Sequence, residues 1–247
     1  FYCNFVDLSR TYRFNPIKPS VLKNINLLPQ LMTDLLKSYL SKDAKQDEWF
    51  DAGLGVLKAV SIRFYNDYPK QCTVPHIFHY ISANSQNPER IVEFINADPQ
   101  ARALAGGFLS ATEKQRSAQL SSVTDPIGDF VFNKEVCYVF SGDDFDFNLI
   151  DPEDPKLFSI SNSYAIEDTI LPIIAMMFKI SSRKFDMNNK IKFVYFMDEG
   201  TTLRIDKFES MPSVLREYGA SFSLFTQNEA KIVKTYSNED LRSIKSN

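Results

Sequence analysis

Residues 192–202 read KFVYFMDEGTT, so that five apolar, β-prone residues, Phe193 to Met197, are followed directly by the carboxylates of Asp198 and Glu199. An apolar run of this length and composition predicts a strand buried on both faces, as in a parallel sheet. Open α/β sheets bind ligands beyond the carboxyl ends of their strands. The sequence therefore predicts an α/β fold with Asp198 and Glu199 at its ligand-binding edge.

Predicted strands and helices alternate on both sides of this run. The pattern predicts a short strand at 157–161, a long apolar helix at 165–182, a helix ending near Gly219 and a strand at 220–227. Strand–helix alternation of this kind is typical of a parallel sheet. Residues 1–8 (FYCNFVDL) predict a further strand, which a turn at Phe14-Asn15-Pro16 follows.

The middle of the chain has a different pattern. From about residue 20 to about residue 135, apolar side chains recur at helical spacing, which predicts a bundle of about five helices. Thr73 before Pro75, and Asn87 before Pro88, are typical of helix starts, where a capping residue precedes a first-turn proline. The helical stretch therefore interrupts the α/β pattern.

Three parts are expected from this organisation. Residues 1–18 begin an α/β domain, residues 19–135 form an inserted all-α domain, and residues 136–247 complete the α/β domain. With 247 residues, of which 44% are hydrophobic and 24% charged, the chain is large enough for one large or two smaller globular domains.

Charge and cysteine content narrow the function classes. The net charge of −3 gives no global basic surface for nucleic acid, so any such contact must be local or lie in another part of the molecule. The three cysteines have no paired spacing, which favours a reducing compartment.

No run reaches the roughly 20 apolar residues of a membrane helix. Because the chain starts at Phe1 without Met, we expect it to be an internal segment of a longer protein.

A hydrophobic strand that ends in Asp-Glu is the Walker B pattern. In that pattern the aspartate, here Asp198, holds Mg²⁺ through its water shell, and the glutamate, here Glu199, polarises the water that attacks the γ-phosphate. The alternative is a strand that ends in a solvated acidic turn, and the motif alone does not separate the two.

Two further polar residues favour the first interpretation. Gln227 ends the predicted strand at 220–227, 28 residues after Glu199, where an amide could sense the γ-phosphate or position water. Arg216 ends the preceding predicted helix, eleven residues before Gln227. An isolated arginine there is usually a helix C-cap cation, but with Asp198, Glu199 and Gln227 it suggests a phosphoryl-transfer site.

Two other patterns are explained better by ordinary helices. GLGVLK at 53–58 has two glycines of a dinucleotide fingerprint, but it lies in a helical pattern and lacks the third glycine. Cys72, His76 and His79 are only three candidate metal ligands, and Pro75 with its apolar neighbours suits an amphipathic helix start.

The sequence resembles the TraG/TraD-type coupling proteins of conjugative type IV secretion systems. The matching segments, in the family's order, are RFNPI at 13–17, EWFDAGLGVLKAV at 48–60, KLFSISNS at 156–163, FVYFMDEGTTL at 193–203, VLREYGASFSLFTQ at 214–227 and KTYSNEDLRSIKSN at 234–247. The resemblance implies an α/β fold with a RecA-like parallel-sheet nucleotide-binding domain interrupted by an inserted all-α domain. It also implies a hexameric, membrane-anchored ATPase at the cytoplasmic face of the bacterial inner membrane.

The resemblance further implies ATP and Mg²⁺ as cofactors, and passage of relaxase-bound single-stranded DNA, or of protein, to the secretion channel. Asp198 matches the Walker B aspartate, Glu199 the catalytic glutamate and Gln227 the sensor glutamine. Arg216 matches the arginine thought to reach a neighbouring subunit's nucleotide. The chain departs from the family at Gly200, where phenylalanine or leucine is usual.

The sequence also lacks the G-x-x-x-x-G-K-[ST] phosphate-binding loop of the family. In relatives this loop precedes the strand and Asn-Pro turn found here at residues 1–16, so we expect it, and membrane helices before it, upstream of Phe1. We accordingly expect this segment alone to be a poor ATPase. The alternatives are a RecA-like motor that couples protein substrates to a secretion or assembly apparatus, and a non-catalytic helical module that recruits substrates.

Overall fold

The computed structural model describes residues 1–246 apart from 23, 41–45, 146–147, 162–163, 184, 186–187 and 206. The chain forms two compact units. The helical unit comprises Tyr2–Phe147 and Ile160–Thr169, and the α/β unit comprises Phe1, Asn148–Ser159 and Ile170–Asn247.

Helices dominate the first unit. They are α1 (Leu28–Ser38), α2 (Glu48–Asp67), α3 (Val74–Asn84), α4 (Pro88–Asn96), α5 (Pro99–Leu104), α6 (Gly106–Leu109), α7 (Glu113–Thr124), α8 (Gly128–Phe132) and α9 (Lys134–Phe140). The prediction of about five helices was too low because α5, α6 and α8 have only 6, 4 and 5 residues. Segments this short cover too few turns for a periodic pattern.

The long helix α2 is the centre of this unit, since it contacts α1 and each of α3 to α7. Its glycines permit this close packing. A Cβ atom on Gly53 would lie 2.4 Å from the carbonyl oxygen of Gln119 in α7, and one on Gly55 would lie 2.7 Å from that of Leu104 in α5. The two glycines of GLGVLK therefore serve helix packing, as the helical pattern predicted.

Caps fix the helix starts. Asp47 accepts hydrogen bonds from the N–H groups of Trp49 and Phe50 at the start of α2. Thr73 accepts one from the N–H of His76 (3.2 Å), which confirms the predicted cap of α3. Asn87 precedes Pro88 as predicted but makes no side-chain capping bond to α4. These bonds satisfy N–H groups that have no partner within the helix.

The α/β unit contains residues 170–182 of α10 (Glu167–Ser182), β3 (Phe193–Met197), α11 (Met211–Arg216), β4 (Ala220–Leu224), α12 (Glu229–Thr235) and α13 (Asn238–Ser246). Aromatic rings fill its core. The rings of Phe178 and Tyr195 lie 4.3 Å apart between centroids, and those of Tyr195 and Phe222 stack at 4.9 Å. Tyr195 also shares a hydrogen bond of 2.8 Å with the Ser181 hydroxyl of α10. These contacts join α10 to one face of the two strands.

The opposite face of β3 is exposed in this chain, whereas the sequence predicted a strand buried on both faces. Tyr195 has 8% of its surface exposed, whereas Val194 has 57% and Phe196 has 69%. Side chains alternate between the faces of a strand, so Phe193, Tyr195 and Met197 face the core while Val194 and Phe196 face away. The apolar run reflects a core face plus an uncovered apolar face.

The remaining strands are shorter than predicted. β1 is Tyr2–Cys3 and β2 is Ser159–Ile160; they form one two-stranded sheet, and β3 and β4 form another. The predicted strand at 1–8 stops early because the Asn4 side chain accepts hydrogen bonds from the N–H groups of Val6 and Asp7. Local bonds of this kind replace those of a strand ladder. In the described part of the chain, the strands therefore do not form one continuous sheet.

Among the helices that the structure describes, none combines the length and the apolar composition of a membrane span.

Candidate functional site

The strands β3 and β4 pair in parallel, as the sequence predicted. Their register joins Phe193 to Ala220 and Met197 to Leu224. The N–H of Phe225 then donates to the carbonyl oxygen of Met197 (2.9 Å), which extends the pairing by one residue. Because parallel strands end at the same edge of a sheet, the residues that follow Met197 and Leu224 lie at one edge.

Asp198 and Glu199 form the turn that follows β3. Asp198 is exposed. Glu199 has φ 51° and ψ 28°, the left-handed conformation, and the N–H of Thr202 donates to its carbonyl oxygen (3.3 Å). A left-handed conformation costs a non-glycine residue about 1–2 kcal/mol. Packing around the turn maintains this conformation, which directs the chain sharply away from the strand.

Gly200 is part of that packing. A Cβ atom on Gly200 would lie 2.7 Å from Cβ of Met197 and 2.7 Å from Cδ1 of Leu224. The glycine is therefore required where the turn packs against both strands. This close approach explains why the chain departs here from the phenylalanine or leucine expected by resemblance.

Gln227 is an exposed residue three positions beyond the end of β4. The next residue, Asn228, caps α12 by accepting a hydrogen bond from the N–H of Ala230 (2.8 Å). Gln227 thus lies between a strand end and a helix start, at the same sheet edge as Asp198 and Glu199. The structure brings these three predicted residues to one edge.

Arg216 lies at the other end of the strands. It is the exposed last residue of α11, and its carbonyl oxygen accepts the N–H of Gly219 (3.1 Å). Gly219, with φ 85°, turns the chain into β4, and its own carbonyl oxygen accepts the N–H of Phe193 at the start of β3 (3.0 Å). Four residue rises of about 3.3 Å, or about 13 Å, separate Phe193 from Met197. Arg216 is therefore not grouped with the other three residues in this chain.

The sequence did not indicate two contacts, one from α12 to Glu199 and one from the residue after α12 to the segment that follows the Glu199 turn. Nζ of Lys231 lies 3.5 Å from Oε2 of Glu199. The hydroxyl of Tyr236 donates to the carbonyl oxygen of Leu203 (2.6 Å) and accepts the N–H of Ile205 (3.1 Å). Burial raises the pKa of Tyr236 to about 12, so the hydroxyl stays neutral. These contacts depend on the pairing of β3 with β4, which brings the start of α12 close to Glu199.

The candidate ligands Cys72, His76 and His79 each have a different partner. Burial raises the pKa of Cys72 to about 12, and its neighbour His76 contacts the Thr73 hydroxyl through Nδ1 (2.7 Å). Nε2 of His79 instead lies 3.6 Å from Sγ of Cys137, a partner 58 residues away in sequence. Among the residues the structure describes, no group of three or more His, Cys, Asp or Glu side chains could hold a metal ion.

A parallel strand pair that is followed at one edge by carboxylates and an amide is the arrangement at which open α/β sheets bind ligands. Residues 192–247 match the family model described as the TraM recognition site of TraD and TraG. No curated protein sequence matches the chain significantly.

Solved structures of one kind of protein share the fold of the whole chain. The plasmid coupling protein TrwB in complex with the ATP analogue ADPNP matches with a TM-score of 0.74 and 15% identity, over 100% of this chain and 56% of that one. TrwB in complex with ADP and Mg²⁺ matches with a TM-score of 0.72 and 16% identity, over 100% of this chain and 56% of that one. The bacterial conjugative coupling protein TrwBdeltaN70 in complex with sulphate matches with a TM-score of 0.72 and 15% identity, over 100% of this chain and 55% of that one.

These two findings confirm the resemblance to TraG/TraD-type coupling proteins, one through the sequence of residues 192–247 and the other through the fold. The chain spans a little over half the length of the structures it matches.

Proposed function

We propose that the chain is a segment of a conjugative coupling ATPase that uses ATP and Mg²⁺ to deliver relaxase-bound single-stranded DNA to a type IV secretion channel. The observation that carries the proposal is the edge formed by β3 and β4, where Asp198, Glu199 and Gln227 follow neighbouring parallel strands. ATP-analogue and ADP–Mg²⁺ complexes of TrwB, which shares this fold, support a nucleotide and Mg²⁺ as the ligands.

The exposed carboxylate of Asp198 suits Mg²⁺, which prefers oxygen ligands and keeps several of its waters. Bound there, the ion would neutralise charge on the phosphates. Glu199 follows directly and would take a proton from the attacking water. Gln227, at the neighbouring strand end, would orient that water or contact the γ-phosphate. Asp198, Glu199 and Gln227 thus have separate roles at one edge.

We further propose that the α/β unit is part of a larger RecA-like sheet. The apolar outer face of β3, with Val194 and Phe196 exposed, suits a parallel sheet that is covered on both faces when complete. The division into residues 1–18, 19–135 and 136–247, with the middle part inserted, remains our proposal for the domain limits. Arg216 would act on the nucleotide of a neighbouring subunit in a homo-hexamer at the cytoplasmic face of the inner membrane.

Two other functions differ from this one in measurable ways. A motor for protein substrates would hydrolyse ATP without stimulation by single-stranded DNA, and a recruiting module would not hydrolyse it. Turnover of the full-length protein with and without single-stranded DNA distinguishes these possibilities from the proposed DNA motor.

The decisive variant is Glu199→Gln in the full-length protein. Because it removes the general base and keeps the shape of the side chain, we expect ATP binding to persist and hydrolysis to fall by about 10²-fold or more. Glu93→Gln, an equal charge change at an exposed position of α4, is the matched control and should hydrolyse ATP normally. Near-normal turnover of Glu199→Gln would make Glu199 a structural turn residue and remove the proposed mechanism.

A further inference from the structure

The structure places a cation beside the proposed catalytic base. Nζ of Lys231 lies 3.5 Å from Oε2 of Glu199, and the two side chains are 50% and 40% exposed. A half-exposed pair of this kind contributes little to folding. Its consequence is local: the ammonium group favours one direction of the Glu199 carboxylate over the others.

The helix that carries Lys231 is capped at its start and is bonded to another segment just after its end. Asn228 caps the first turn through the N–H of Ala230 (2.8 Å), and Ile232 is buried. Directly after the helix, Tyr236 bonds through its hydroxyl to the carbonyl oxygen of Leu203 and the N–H of Ile205. Both bonded residues lie a few positions after Glu199. α12 is therefore fixed against the segment that includes the Glu199 turn.

The same helix begins at Glu229, two residues after Gln227. Gln227 and Lys231 are four residues apart, with the Asn228 cap between them. A rigid α12 thus connects the end of β4 with the turn that follows β3. Any shift of the helix would change the surroundings of Glu199 and Gln227 together.

We propose that Lys231 is a positioning residue for Glu199. Its ammonium group, held by the anchored α12, keeps the carboxylate of the left-handed turn aimed beyond the sheet edge, where the attacking water would lie. The inference rests on the proposed ATPase function. It adds a residue that the sequence pattern did not indicate and that acts through Glu199 without contacting the nucleotide.

The test uses steady-state ATP hydrolysis by the full-length protein. Lys231→Met keeps the length of the side chain and removes its charge, so we expect kcat to fall about tenfold with the KM for ATP changed by less than about twofold, because misplacing a catalytic group affects the chemical step. Lys231→Arg should restore most of the loss. Lys192→Met is the matched control. It removes the same charge from an exposed residue directly before the amino end of β3, and it should leave kcat and KM unchanged.

An unchanged kcat in Lys231→Met would overturn the inference, and so would a failure of Lys231→Arg to recover activity. A raised kcat in Lys231→Met would also overturn it, because the ion pair would then hold Glu199 back from the reaction. Glu199→Gln measured in parallel separates this failure from that of the proposed function. If Glu199→Gln is inactive while Lys231→Met is normal, only the role of Lys231 is refuted. If Glu199→Gln turns over normally, the ATPase mechanism fails first.

Discussion

Replacing Gly53 with alanine tests the packing at the centre of the helical unit. The new Cβ atom would lie 2.4 Å from the carbonyl oxygen of Gln119, 2.6 Å from Oγ of Ser122 and 2.8 Å from Cγ2 of Val123. All three atoms belong to α7, and the closest is a backbone atom that cannot rotate away. Helices α2 and α7 must therefore move apart.

Two opposing effects set the size of the change. Overpacking of this kind costs about 1–3 kcal/mol, and contact with backbone places Gly53→Ala toward the upper value. Alanine in the middle of a helix gains about 0.8–1.0 kcal/mol over glycine. We therefore expect the free energy of unfolding of the helical unit to fall by about 2 kcal/mol.

The single tryptophan, Trp49, makes the measurement selective. It lies in the first turn of α2, where its carbonyl oxygen accepts a hydrogen bond from the Ser122 hydroxyl (3.3 Å), so its fluorescence follows the helical unit during urea unfolding. Gly107→Ala is the matched control, because a Cβ atom there would make only an ordinary contact of 3.7 Å with Ala52. Gly107→Ala should leave the free energy of unfolding unchanged or raise it slightly. Equal midpoints for Gly53→Ala and the wild-type chain would refute the close packing of α2 on α7.

Two further predictions concern the α/β unit. Gly200→Leu introduces the side chain expected from the family into space occupied by Met197 and Leu224, so it should destabilise this unit by about 1–3 kcal/mol; unchanged hydrogen exchange of the β3 and β4 amides would contradict this. In the full-length protein, Arg216→Ala and Glu199→Gln should each be inactive, because an arginine acting in trans contributes about 10³–10⁵ in rate. Mixing the two variants should restore activity, and a mixture that stays inactive despite verified co-assembly would exclude a trans role.

The sequence predicted the parts of the site that depend on local pattern. The parallel pairing of β3 with β4 follows from strand–helix alternation, and it brings Asp198 and Gln227 to one edge, as expected. The exposed outer face of β3 could not be predicted in this way. An apolar residue such as Phe196 satisfies the pattern of a buried strand whether or not another element covers it.

Contacts between distant segments were the main features that the sequence did not show. The pair of Lys231 with Glu199 depends on the path of the chain after β4, and the contact of His79 with Cys137 joins residues 58 positions apart. A lysine seven residues after a strand end has no periodic signal. The first strand is shorter than predicted because the Asn4 side chain bonds to a nearby backbone N–H group in place of a strand partner. The apolar pattern of residues 1–8 gives no sign of this bond.

The separation of Arg216 from Glu199 bears on oligomeric state without any appeal to resemblance. α11 ends in Arg216 before β4 starts, and Gly219 bonds to Phe193 at the amino end of β3, whereas Glu199 follows the carboxyl end about 13 Å away. Within one chain, Arg216 and Glu199 therefore face different ends of the same strand pair. If both act on one phosphoryl group, this separation favours their coming from different copies of the chain. A ring in which the Arg216 end of one copy meets the Glu199 end of the next would satisfy this requirement at every interface, and head-to-tail contacts form such a ring when their rotation closes.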